Sequence, residues 1–269
     1  MVDLATAEFE ERIRMARAFS ESTLQSLAAI PNRGMALMNL VQSQASIAYL
    51  SIQRGRREDA RSAFARAGGF LLDLVGVSPA TAPCGSRKTA IECALLSGDL
   101  ALESRCLGIG LPESCADLGR TIEPYLRALH ALASGNQEVA RRAAAQLSAV
   151  SVEEARKAKV YPHLGDVVSA ILEKNEIALG VALGNLLGHH IHYSKKGHLR
   201  GSEAGLVCTP AAALVVLAWR SGLRPVVEDR LRRVDLKFRV SAIETWDGKA
   251  AKDLFIEVGV DVLPLAFLA

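Results

Sequence analysis

His189, His190, His192 and His198 fall in one short stretch, together with Tyr193, Lys195, Lys196 and Arg200. Imidazoles this close suggest metal chelation, and His189 and His192 would share one helix face at ligand spacing. Their surroundings argue otherwise. No carboxylate has the matching spacing, His-Glu-x-x-His is absent, and the neighbouring lysines would repel a cation. The stretch from Gly188 to Gly205 reads instead as a polar segment outside any helical period, suited to contact with a partner. Histidine and tyrosine combine contact area with hydrogen bonding. The candidate partner-binding residues are therefore His189, His190, His192, Tyr193, Lys195, Lys196 and His198. Trp246 and Asp247, beside Gly248, make a second candidate patch, because tryptophan is enriched at binding hot spots.

Other chemistry finds no support. The chain has no Gly-x-Ser-x-Gly, no recognisable Cys-His motif and no glycine loop for phosphate. The expectation is a non-enzyme with no cofactor and no bound metal. A metal-dependent enzyme built on the histidines is the least favoured alternative.

The elements that must position these residues are helices. Apolar residues make up 50% of the 269 positions and aromatics only 5%, with alanine and leucine dominant, which favours closely packed helices. Three segments read as helix, glycine turn, helix: Ala48 to Ala60 around Gly55, Ala94 to Ala101 around Gly98, and Ala128 to Ala140 around Gly135. A degenerate fourth surrounds Lys174-Asn175. Their spacing of roughly forty residues is that of helical-hairpin repeats. Each glycine can end a helix in the left-handed conformation, and Asp99 or Asn136 can cap the next helix. The predicted fold is a single all-α domain of stacked antiparallel hairpins, TPR-like, with a few short strands near the C-terminus. Such stacks make concave surfaces that bind macromolecules.

Along the chain, helices are predicted from Phe9 to Leu27, Met35 to Gln53 and Glu58 to Val75, followed by a loop from Gly76 to Ser86. Helices follow over Arg87–Leu96, Leu100–Leu107, Pro124–Ala133 (with Pro124 in the first turn), Gln137–Leu147, Leu164–Leu172 and Ile177–Leu187. Pro210 to Arg220 is apolar enough to be central to the core. Gly180 and Gly184 have the spacing of close helix packing. Beyond Gly222, Leu223–Val227, Leu236–Val240, Leu254–Val258 and Val260–Leu263 read as short extended pieces or short helices, with helix dominant and one small strand pair expected somewhere in the last fifty residues.

A net charge of +3 gives no argument for nucleic-acid binding. Arginines cluster around Arg54–Arg66 and Arg230–Arg239, interleaved with acids, and read as solvated faces. Five cysteines without close pairs predict free thiols and a reducing compartment. The acidic start lacks the pattern of a signal peptide, and the longest apolar run is too short to span a bilayer. A cytoplasmic location follows as the expectation.

From Gly205 to Leu223 the sequence Gly-Leu-Val-Cys-Thr-Pro-Ala-Ala-Ala-Leu-Val-Val-Leu-Ala-Trp-Arg-Ser-Gly-Leu resembles part of a known family. It is similar to the C-terminal part of the immunity protein 49 family of bacterial polymorphic toxin systems. Shared features are a small-residue apolar helix ending at Arg220 to Leu223, a valine-rich piece at Pro225 to Val227, and a terminal Leu263-Pro264. The stretch from Glu228 to Val258 departs from the pattern. The resemblance implies an all-helical protein that binds a cognate toxin and blocks it, without catalytic residues. It places the chain in bacterial competition, with type VI secretion as the expected route of the toxin. The partner is then a protein, neither nucleic acid nor membrane, and a homodimer stays open. The alternative function is a helical-repeat scaffold or regulator that binds a peptide.

Overall fold

The computed structural model describes residues 4–77, 84–111, 119–157, 161–239 and 255–268. The described residues form thirteen α-helices, two short 3-10 turns and one two-stranded sheet. In order, the helices before the histidine stretch are α1 (Leu4–Ser26), α2 (Arg33–Gln53), α3 (Arg57–Val77), α4 (Cys84–Ser97), α5 (Leu100–Gly108), α6 (Gly119–Ala133), α7 (Gln137–Ser148), α8 (Val152–Lys157) and α9 (Leu164–Leu172). After them come α10 (Glu176–Lys196), α11 (Thr209–Arg220), α12 (Asp229–Arg232), β1 (Arg233–Arg239), β2 (Phe255–Asp261) and α13 (Leu265–Leu268). None of these helices is long and apolar enough to cross a membrane.

The repeat is legible in its turns. Gly55, Gly98 and Gly135 have φ of 68°, 72° and 76°, and Lys174 takes the same left-handed role at 53°. In three of the turns a backbone bond closes the helix end: Arg56 N to Ser51 O at 2.8 Å, Asn136 N to Ala131 O at 2.8 Å and Asn175 N to Ala170 O at 3.0 Å. These satisfy carbonyls that a helix end leaves open. Asp99, Asn136 and Asn175 then accept from Leu102 N, Val139 N and Ala178 N, which starts the next helix. The hairpins are α2–α3, α4–α5, α6–α7 and α9–α10, and neighbours pack through α3 on α4, α4 on α6 and α7 on α9.

α11 lies against α4, α6, α9 and α10. Pro210 to Val215, Leu217 and Ala218 are buried, as expected of a helix that is apolar all round. An open stack of hairpins would offer these helices to a ligand. Here the chain fills that side itself. The sheet is antiparallel, with Leu236 opposite Val258 and Phe238 opposite Ile256. Leu236, Phe238, Val258 and Val260 alternate inward. The Phe238 ring meets Phe9 of α1 edge-on, with centroids 5.1 Å apart.

Several expectations need correction. α4 begins at Cys84, so the loop expected as far as Ser86 ends earlier. α6 begins at Gly119, which puts Pro124 inside the helix instead of its first turn. Cys93, Cys106 and Cys208 are buried free thiols, but Cys84 is disulfide-bonded, with its partner outside the described residues. The largest correction concerns α10. It runs on through Gly188 to Lys196, so His189, His190 and His192 are helical and His198 follows the helix end. The reason is that its inward period continues past Leu179, Leu183, Leu186 and Leu187 into His190, Tyr193 and Ser194, all buried.

Candidate functional site

His190 is fully buried. Its Nε2 lies 3.0 Å from the Gly205 carbonyl oxygen, and its Nδ1 lies 2.9 Å from Tyr161 Oη. A carbonyl can only accept, so Nε2 carries the proton and Nδ1 accepts from the Tyr161 hydroxyl. Ser194 Oγ lies 3.1 Å from the same Gly205 oxygen. The cluster thus ties the segment entering α11 to the side of α10. Gly205 is close enough that an added Cβ would lie 2.9 Å from Leu199 O and 3.2 Å from Ser194 Oγ. Burial pulls the His190 pKa from 6.5 down to about 4, keeping the ring neutral. Burial likewise pushes the Tyr161 hydroxyl well above its ordinary value, so it stays a donor.

Tyr193 is also buried, at the centre of a ring cluster with Tyr161, His189, His192 and His198. His190 and Tyr193, expected on a partner-facing surface, are instead turned inward, where each supplies apolar or hydrogen-bonding contact inside the fold. The other candidates divide differently. His189 is half-buried, its ring 5.4 Å from that of His163, while His192, Lys195, Lys196 and His198 are exposed. His163, Gly184, Asn185, Gly188, His189 and His192 line a surface depression. His163 Nδ1 lies 3.0 Å from Asp166 Oδ2. Among the described residues, no three His, Cys, Asp or Glu side chains group so as to hold a metal ion. Trp246 and Asp247 lie outside the described residues.

A second polar cluster escaped the sequence reading. Glu92 is buried on α4, bridged to Lys88 Nζ at 3.1 Å and accepting from Tyr125 Oη at 3.1 Å. Tyr125 Oη also lies 3.5 Å from Pro210 O at the start of α11. The buried Glu103 on α5 is paired with Arg220 at 2.6 Å, at the far end of α11. Glu92 thus ties α4 to Tyr125 of α6, and Glu103 ties α5 to the end of α11. The signal for Glu92 was present: a carboxylate within Ala90-Ile91-Glu92-Cys93-Ala94-Leu95-Leu96, four residues after a lysine. Tyr161 carried no signal, because only the fold brings it to His190.

The buried polar groups thus bind elements of the fold to one another. What remains outward on α10 is its own exposed face. Comparison of the chain with protein families, characterised proteins and solved structures finds no match.

Proposed function

We propose that this protein works by binding another protein, and that the partner is a toxin it neutralises in the cell that makes both. The observation that carries the binding reading is the placement of apolar side chains. Ile177 and Val181 on α10, and Val226 beside them, are left on the surface of a chain with an ample core. The groups that could do chemistry, His190, Glu92 and Glu103, meanwhile have partners inside the fold. The toxin as partner is supported by the resemblance of Gly205–Leu223 to the immunity protein 49 family. Inhibition requires only that the complex cover a surface the toxin needs.

The test is to co-produce the chain with the product of each adjacent gene in a sensitive host. Protection, together with a co-eluting complex, is the expected result. Growth arrest in every combination would remove the toxin reading.

A groove between α1 and α2 favours a second reading, a scaffold that binds peptides. Met15, Ala16 and Phe19 line one side of it, and Asn39, Gln42 and Ser43 line the other. A flexible methionine beside an aromatic ring suits adaptable peptide recognition.

A further inference from the structure

We infer that the outward face of α10 docks a protein segment with aliphatic side chains at one end and carboxylates at the other. This rests on the binding reading above and states where the partner sits and what it must look like. Positions 177, 181, 188, 192 and 195 lie within about 60° of one another around the helix axis and span about 27 Å. At the N-terminal end Ile177 is 83% exposed and Val181 62%. Val226, 84% exposed, joins them because its segment crosses α10 at Gly180, where an added Cβ would lie 2.6 Å from the Val226 carbonyl oxygen. Midway the face dips: a Cβ on Gly188 would meet nothing within 4 Å.

At the C-terminal end Lys195 and Lys196 are exposed, and neither has an ion-pair partner among the described residues. Asp166 is paired with His163 and Glu203 with Arg12. This end of the face is positive, so its complement is acidic. The helix dipole accounts for cations in a last turn, but not for aliphatic side chains on the same face about four to five turns away. A nucleic acid would leave the aliphatic end idle. A membrane would need a broad apolar face, and this one is a narrow stripe broken by a depression.

The probes are two helical peptides read by fluorescence anisotropy against the full chain. One has leucines at i and i+4 followed by glutamates; the other has lysines in place of the glutamates. The acidic peptide should bind, less tightly as salt rises, and the basic one should not. The double variants Ile177→Asp/Val181→Asp and Lys195→Glu/Lys196→Glu should each weaken binding by about tenfold or more, as should Gly188→Trp. All are surface positions, and circular dichroism checks that the fold is kept. Met15→Asp, on α1, should change nothing.

Equal binding of the two peptides, or binding indifferent to the α10 variants, overturns the inference. So does binding confined to phosphatidylserine vesicles, or a dimer of this chain that the same variants abolish. The two readings fail separately. Protection from a toxin that survives the α10 variants sinks this surface and keeps the toxin. Acidic-peptide binding lost in those variants, with no neighbouring toxin neutralised, keeps the surface and sinks the toxin.

Discussion

Tyr161 donates a hydrogen bond of 2.9 Å to Nδ1 of His190, 29 residues further along the chain. That bond fixes the tautomer whose Nε2–H holds Gly205. Tyr161→Phe removes the donor and leaves a buried nitrogen without a partner. The expected loss is about 1–3 kcal/mol of unfolding free energy, read from urea denaturation at neutral pH. An unchanged midpoint would mean that Nδ1 does not depend on Tyr161.

His190 also predicts how stability depends on pH. Its folded-state pKa, about 4, lies below its ordinary 6.5. Between these values the unfolded chain binds the extra proton, so stability is complete above about pH 6.5 and falls as pH drops. By pH 4 this group alone should have removed about 3 kcal/mol. Denaturation curves at several pH values in this window check it. His190→Gln should lose that part of the slope, and a slope unchanged in His190→Gln would assign it to other groups.

Two glycines on one helix should respond to alanine with opposite signs. Gly188 has open space where a Cβ would go, so Gly188→Ala should stabilise by about 0.5–1 kcal/mol through helix propensity. At Gly180 the new Cβ would lie 2.6 Å from a backbone oxygen, which cannot move as a side-chain tip can. Gly180→Ala should therefore destabilise by about 1–3 kcal/mol. Thermal midpoints of the two variants, shifted in the same direction, would contradict this.

Lys174 occupies the left-handed position that glycine holds in the three earlier turns, at φ 53°. Lys174→Gly should remove about 1 kcal/mol of backbone strain, less the extra entropy of glycine in the unfolded chain. The adjacent cap offers the converse: Asn175→Ala loses the bond to Ala178 N and should cost about 1 kcal/mol. Calorimetry on both variants tests whether this fourth turn obeys the rules of the others.

The helices and their four turns could be read from the sequence because they depend on neighbours in the chain. Gly55, Gly98 and Gly135 are local answers to local backbone demands, and the capping by Asp99 and Asn136 acts within three residues. The apolar run of α11 is likewise sufficient by itself to predict burial, because water is excluded from any helix with no polar face. The outward polarity of His192 and Lys195 was legible for the same reason. What the sequence did not disclose is which polar side chains turn inward. His189 and His190 are adjacent and chemically identical, yet one is half-exposed and the other sealed. The difference comes from a helical period that continues through Gly188 and from Tyr161 and Gly205, which only the tertiary packing brings to meet it. Composition marked the stretch as a partner surface; the fold takes His190 and Tyr193 for its interior and leaves the other face of α10 outside, because a helix turns successive residues through about 100° whatever their polarity.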